Sequence, residues 1–145
     1  MTASSRILVI DDDPHIRRVV ERSFANEFEV MTASNGREGL EMARTHDPAV
    51  ILLDIRMPVL DGYSVCRRLQ EDPFTSHIPI LMQTGLGEKE EMLLGLRTGA
   101  DDYVIKPFDL GELRVRVRSL IRRSAGFLHS TLPPPAAEQP VQPRG

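Results

Sequence analysis

Five short apolar runs, separated by stretches with helical periodicity, constrain this chain more than any other feature. The runs are RILVI (6–10), FEVMTA (28–33), AVILL (49–53), IPILMQT (78–84) and DYVI (102–105). A nearly continuous apolar run of this length, bounded by turn residues, is the pattern of a strand buried on both faces. Between the runs, apolar residues recur at helical spacing. Ile16, Val19, Val20 and Phe24 make one stripe, Leu40 and Ala43 a second, and Val65 and Leu69 a third. Met92, Leu93 and Leu96 make a fourth, and Leu110, Leu113, Val117, Leu120 and Ile121 the longest. Pro14 after Asp13 suits a first helical position. Asn35 with Glu38, and Asp109 with Glu112, have capping-box spacing, and Gly99 stands where a helix would be closed. Strand and helix alternating five times predict an α/β domain, a doubly wound five-stranded parallel sheet with five helices on its two faces. The nearly all-apolar strands ILVI, AVILL and IPILM belong in its centre. FEVMTA, polar at alternate positions, reads as an edge.

Bulk properties narrow the function. At 145 residues the chain is the size of one domain. A net charge of −3 offers no basic field for nucleic acid, so direct nucleic-acid binding by this domain is not expected. The single cysteine, Cys66, lies among helical apolar positions and reads as a packing residue. No apolar run approaches the roughly 18 residues needed to cross a membrane, and the N-terminus lacks the pattern of a signal peptide. A cytoplasmic protein is expected. The organisation reads as a short lead (1–5), one domain (6–125) and a proline-rich segment (126–145). That last segment holds five of the eleven prolines and no periodicity, as expected of a disordered tail or of a linker to an output domain after residue 145.

In an open parallel sheet, ligands bind at the carboxyl ends of the strands. Here those ends carry Asp11, Asp12 and Asp13 after the first run, Asp54 after the third, Thr84 on the fourth, and Lys106 followed by Pro107 after the fifth. Singly each has a plain explanation, such as a helix cap for the acids. Together on one edge they describe a site. Several carboxylates so close raise one another's pKa, and a divalent cation removes the conflict. Hard oxygen ligands that leave room for water suit Mg²⁺. There is no glycine-rich phosphate cradle, so a nucleotide would be poorly held. One small anion fits better: a phosphoryl group on a carboxylate nucleophile, balanced by the cation and Lys106 and hydrogen-bonded by Thr84.

The motifs ILVIDDDP, LLDIRMPVLDG, IPILMQTG and GADDYVIKPF, in that order, resemble the receiver domain of two-component response regulators over about residues 6 to 123. The likeness is to chemotaxis-type receivers and to those linked to winged-helix transcription factors. It implies a flavodoxin-like strand order, 2-1-3-4-5. It also implies a phosphoacceptor at Asp54 that takes its phosphoryl group from a sensor histidine kinase or phosphotransfer protein. The metal set would be Asp11, Asp12, Asp54 and the backbone carbonyl of Arg56. Thr84 and Lys106 would contact the phosphoryl group, and Tyr103 would be the aromatic switch. Asp13 lies outside that set and reads as a helix cap. The Lys106–Pro107 peptide is usually cis in this family. Arg56 and Leu86, each two positions past a site residue, vary in the family and tune phosphate lifetime. Gly85 stands where alanine is common.

The same resemblance implies a two-state switch. Thr84 moves toward the phosphate, Tyr103 turns into the vacated space, and the face made by the fourth helical segment, the fifth strand and the last helix changes. That face would contact a partner, an output domain or a second copy of the chain. Asp101 and Asp102 on one side, and Arg114, Arg116, Arg118, Arg122 and Arg123 on the last helix, offer it opposite charges. The chain is thus expected to assist its own phosphorylation and dephosphorylation without being a classical enzyme. His15, His46, His77 and His129 form no pair and read as surface residues, which leaves the phosphodonor histidine to a partner. Two rival readings are a Mg²⁺-dependent aspartyl-nucleophile phosphatase and a pseudo-receiver that binds without taking phosphate. The first would want an acid where Arg56 stands; the second is at odds with a complete set of pocket residues.

Overall fold

The computed structural model describes residues 5–85 and 99–129. The elements in chain order are β1 (Arg6–Ile10), α1 (Pro14–Phe24), β2 (Glu29–Ala33), α2 (Gly36–His46), β3 (Val50–Asp54), α3 (Gly62–Glu71), β4 (Ile80–Thr84), β5 (Asp102–Ile105) and α4 (Leu110–His129). The five strands form one parallel sheet in the order β2-β1-β3-β4-β5. All five expected strands are therefore present. The helix expected around Met92, Leu93 and Leu96 lies outside the described residues, so four helices are described.

Burial explains the order. The three apolar strands β1, β3 and β4 sit centrally, and β3 and β4 are buried at every position. β2, with only Ala33 fully buried, takes one edge. Because side chains alternate along a strand, the sheet feeds two cores. Leu8, Ile10, Ile51, Leu53, Ile80 and Met82 pack on Ala43 of α2 and on Val65 and Leu69 of α3. Ile7, Val9, Leu52, Leu81 and Val104 pack on Val20 and Phe24 of α1 and on Leu113, Val117 and Leu120 of α4. Cys66 is buried in the first core.

The caps fix where helices begin. Asp13 accepts from the His15 N–H at 2.8 Å, with Pro14 at the first helical position. Asn35 accepts from the Glu38 N–H at 2.8 Å, but Glu38 reaches back to the Ser34 N–H and hydroxyl rather than to Asn35. Asp109 accepts from the Glu112 N–H at 2.9 Å, while the Glu112 carboxylate turns to Arg116. Gly99 has φ +105°, a conformation that suits glycine.

Helix α4 continues through His129, past the boundary at 125/126 drawn from composition. The reason is local: among residues 125–129 only Gly126 resists helix, and the first proline after Pro107 is Pro133. Residues 130–145, the remainder of the proline-rich segment, lie outside the described residues.

Candidate functional site at the carboxyl edge of the sheet

The carboxyl ends of β1, β3, β4 and β5 converge on one cluster. Asp11 follows β1 and is fully buried. Its backbone N–H donates to the Ala33 carbonyl of β2, which continues the ladder one residue past the strand. Its Oδ1 accepts from the Asp13 N–H at 2.9 Å, and its own carbonyl accepts from Arg17 of α1 at 2.8 Å. Asp54, the last residue of β3, is 4 % exposed. Asp12 is exposed beside them. One carboxylate oxygen from each of Asp11, Asp12 and Asp54 lies within 4.8 Å of the others.

The glycine of the Asp61–Gly62 pair positions Asp54. A Cβ on Gly62 would stand 2.4 Å from the Asp54 carbonyl oxygen and 2.7 Å from the Ile55 Cα, so only glycine lets α3 start against the end of β3. The Gly62 N–H donates to the Ile55 carbonyl at 2.8 Å, and Asp61 caps the helix through the Ser64 N–H. In the intervening loop the Leu60 N–H donates to the Pro58 carbonyl at 2.7 Å across Val59, whose φ is +72°. This has the bond and φ of the classic γ-turn, which is rare and strained, here at a fully exposed β-branched residue.

Lys106 closes the cluster from β5. Its Nζ donates to Asp54 Oδ1 at 3.0 Å and lies 3.6 Å from Asp11 Oδ2. Its backbone N–H donates to the Thr84 carbonyl at 2.7 Å, so the ends of β4 and β5 are tied together. The Lys106–Pro107 peptide is cis. Thr84 is buried at the end of β4. Tyr103 is half-buried and packs against the α2/α3 core. Arg56 is exposed in the loop after β3. Leu86 lies outside the described residues.

Electrostatics set the character of the site. Burial, then the charge of Asp11, with a smaller push from Asp12, raises the Asp54 carboxyl from 3.8 to about 6 against the opposing pull of Lys106. Burial alone would lower the Lys106 ammonium, but its bond to Asp54 and the charges of Asp11 and Asp54 outweigh that and raise it. One lysine thus answers three carboxylates, and an all-oxygen donor set with excess negative charge fits a hard divalent cation.

One neighbour has no counterpart in the sequence-level candidates. Gln83, in register with Asp54 on β4, is fully buried, and its Nε2 donates to Asp11 Oδ2 at 3.2 Å. Its Oε1 has no hydrogen-bond partner. A buried orphan acceptor costs about 1–3 kcal/mol. The only sequence signal was an amide inside an otherwise apolar strand.

The arginines of α4 do not form one face. Arg116 holds Asp102 of β5 through two bonds of 2.9 and 2.8 Å and also reaches Glu112. Arg114 and Arg118 turn the other way, to α1 and the turn that follows it. Arg114 donates to the Ser23 carbonyl at 3.0 Å and lies over the Phe24 ring, and both arginines pair with Glu27. Asp101 accepts from the Ile80 N–H at 2.8 Å rather than from an arginine.

A parallel 2-1-3-4-5 sheet with three acids and a lysine at its carboxyl edge defines a class of phosphoryl-accepting signalling domains, and comparison with known proteins agrees. Residues 7–118 match the family model for the response regulator receiver domain, and the chain belongs to that family. The chain is 48% identical over 120 residues to the "Probable transcriptional regulator ycf27" of Porphyra purpurea, covering 82% of this chain and 48% of that protein. It is 43% identical over 120 residues to the DNA-binding dual master transcriptional regulator RpaA of Synechocystis, covering 82% and 50%. The chain therefore spans about half the length of these curated relatives. Among solved structures it is similar to the receiver domain of the sensor histidine kinase PA1611 of Pseudomonas aeruginosa, with a TM-score of 0.76 and 29% identity over 83% of this chain and 99% of that one. That structure has a magnesium ion coordinated in its active-site cleft. No helix among the described residues is long and apolar enough to cross a membrane.

Proposed function

We propose that this receiver domain takes a phosphoryl group on Asp54 from a phosphohistidine of a sensor kinase or phosphotransfer protein. The observation that carries the reading is the pairing of a nearly buried Asp54 with Lys106 and two further acids at the sheet edge. An Asp54 carboxylate oxygen attacks phosphorus, the bond to the imidazole nitrogen breaks, and the imidazole leaves with that electron pair. Asp11, Asp12, Asp54 and the Arg56 backbone carbonyl would hold Mg²⁺, which supplies neutralisation of the charge gathered on the phosphoryl oxygens. Lys106, already on Asp54, moves its charge to the arriving oxygens, and the Thr84 hydroxyl donates to one of them. Asp11, held by its bonds to Asp13 and Gln83, keeps the edge ordered through the transfer.

Once Asp54 is phosphorylated, Thr84 moves toward the phosphate, Tyr103 turns into the space it vacates, and the surface of β5 and α4 is altered. There the Arg116–Asp102 pair is the contact available for rearrangement, against an output domain following this segment or a second copy of the chain. Residues 6–125 would be the receiver unit, with the proline-rich segment after it as linker.

The test is intact-mass analysis after incubation with Mg²⁺ and a small phosphodonor. A single phosphoryl adduct that is absent from Asp54→Ala supports the reading. No adduct leaves a pseudo-receiver, and turnover of phosphate esters without an adduct indicates a phosphatase.

A further inference from the structure

We propose that Gln83 is a positioning residue for cation binding, reaching from β4 across β3 to hold the Asp11 carboxylate in its ligating orientation. The inference rests on the reading of Asp11 as a metal ligand and extends it to a residue with no ligating role of its own.

Three observations carry it. First, Gln83 occupies an interior position of a strand whose preceding residues, Ile80, Leu81 and Met82, are apolar and buried. An amide here needs a reason, because an apolar side chain of the same size would pack without an unmet polar group. Second, the direction of the amide is fixed. Asp11 is an acceptor, so only the Nε2 end of Gln83 can face it; turning the amide over would set two acceptors against each other. Third, that orientation leaves Oε1 buried without a partner. The amide is kept in spite of this mismatch, which singles out the bond to Asp11 as the contact that matters.

The bond also fixes the second oxygen of the Asp11 carboxylate. Asp11 Oδ1 is taken by the Asp13 N–H of its own loop, and Lys106 stands 3.6 Å from Oδ2, nearer to Asp54. Gln83 is thus the hydrogen-bond donor to Oδ2 and stops the carboxylate from rotating about its Cβ–Cγ bond. Gln83 is in register with Asp54 on β3, the strand between it and Asp11, and the Ile55 N–H donates to the Gln83 carbonyl at 3.3 Å. One residue therefore couples two acids that must face the same ion. Partners that orient a ligating carboxylate are commonly worth about 10–100-fold in metal affinity.

The test titrates Mg²⁺ alone, without phosphodonor, into wild type, Gln83→Met, Gln83→Leu and Asp11→Asn by calorimetry at fixed pH and ionic strength. Urea unfolding in metal-free buffer runs in parallel. The expected result is a roughly tenfold loss of Mg²⁺ affinity in both Gln83 variants. Their metal-free urea midpoints stay close to that of wild type, because removing the unmet acceptor offsets the loss of the bond to Asp11. Affinity within twofold of wild type in both variants overturns the inference. So does a loss of affinity that appears only with a lowered urea midpoint, which marks a purely structural role. If Asp11→Asn binds Mg²⁺ as wild type does, the cation site itself fails, and the inference fails with it. If Asp11→Asn abolishes binding and the Gln83 variants do not weaken it, only the inference fails.

Discussion

The middle of the sheet and its carboxyl edge are built from the same strands and obey opposite rules. In β3, Val50 to Leu53 are buried apolar side chains and Asp54, one step further, is a nearly buried carboxylate. In β4, Ile80 to Met82 are followed by Gln83 and Thr84. The apolar middle is where stability is gained, by burying side chains worth about 1.5–3 kcal/mol each. The polar edge carries a carboxylate pushed up to about 6, an orphan amide oxygen and a γ-turn at a β-branched residue, all unfavourable in isolation. Such groups persist only where surrounding structure holds them. The rigid middle is the condition for a strained edge, and the edge is where the chemistry is.

Substitution in the middle should have the largest effect. Leu52→Ala removes a fully buried side chain between α1, α4 and the sheet, and a loss of about 2–5 kcal/mol in urea unfolding is expected. The fraction that stays folded should still form the phosphoryl adduct, since the edge residues are unchanged. An unchanged midpoint would break the division of labour.

The edge should show itself in the pH dependence of the metal-free protein. Because the folded-state pKa of Asp54 lies above its ordinary 3.8, the folded chain holds a proton that the unfolded chain has released between about pH 4 and 6. The sign is that of a raised carboxyl: its contribution is complete below about 3.8 and lost as pH rises through about 6. Urea midpoints across that window should fall by the equivalent of about 2–3 kcal/mol in wild type, and this component should vanish in Asp54→Asn. The same fall in the variant would assign the dependence to other groups.

Smaller effects sharpen the contrast. Val59→Gly releases the backbone strain of the exposed turn at the expense of a more flexible unfolded chain, for a net gain of about 0.5–1 kcal/mol in thermal or urea unfolding. Arg116→Ala removes a solvent-facing pair with Asp102 and should cost about 0.5 kcal/mol, more at low salt than at high. A salt-independent loss above about 2 kcal/mol would mean the pair behaves as a buried one.

How much of this could be read from sequence follows from the same contrast. The middle announces itself by repetition: five apolar runs gave all five strands, with the right ones central, and the helical stripes gave both cores. The acids and Lys106 were legible because each group directly follows an apolar run. The strand order came from family resemblance, since periodicity says which residues are buried but not which strands are neighbours. Gln83 was passed over because a single amide in an apolar strand has no spacing to mark it; its meaning depends on Asp11, 72 residues away. The arginines of α4 were grouped by proximity in sequence. Arg114 and Arg116 are about 200° apart around a helix, so one reaches α1 and the other β5. The boundary at 125/126 was drawn from the change in composition, which marks where periodicity fades and not where a helix stops; α4 runs on to His129.

The central claim is that the edge holds Asp54 in a charge conflict that a cation relieves. Four urea unfolding curves at pH 7.5 test it most directly: wild type and Asp54→Asn, each with and without Mg²⁺. Without the ion, Asp54→Asn should be the more stable by about 1–2 kcal/mol, since the buried charge beside Asp11 is gone. With Mg²⁺ at ten times its dissociation constant or more, wild type should gain at least about 1.4 kcal/mol and the variant much less. A wild type that is the more stable of the two without Mg²⁺, or two proteins that gain equally from the ion, would contradict the account.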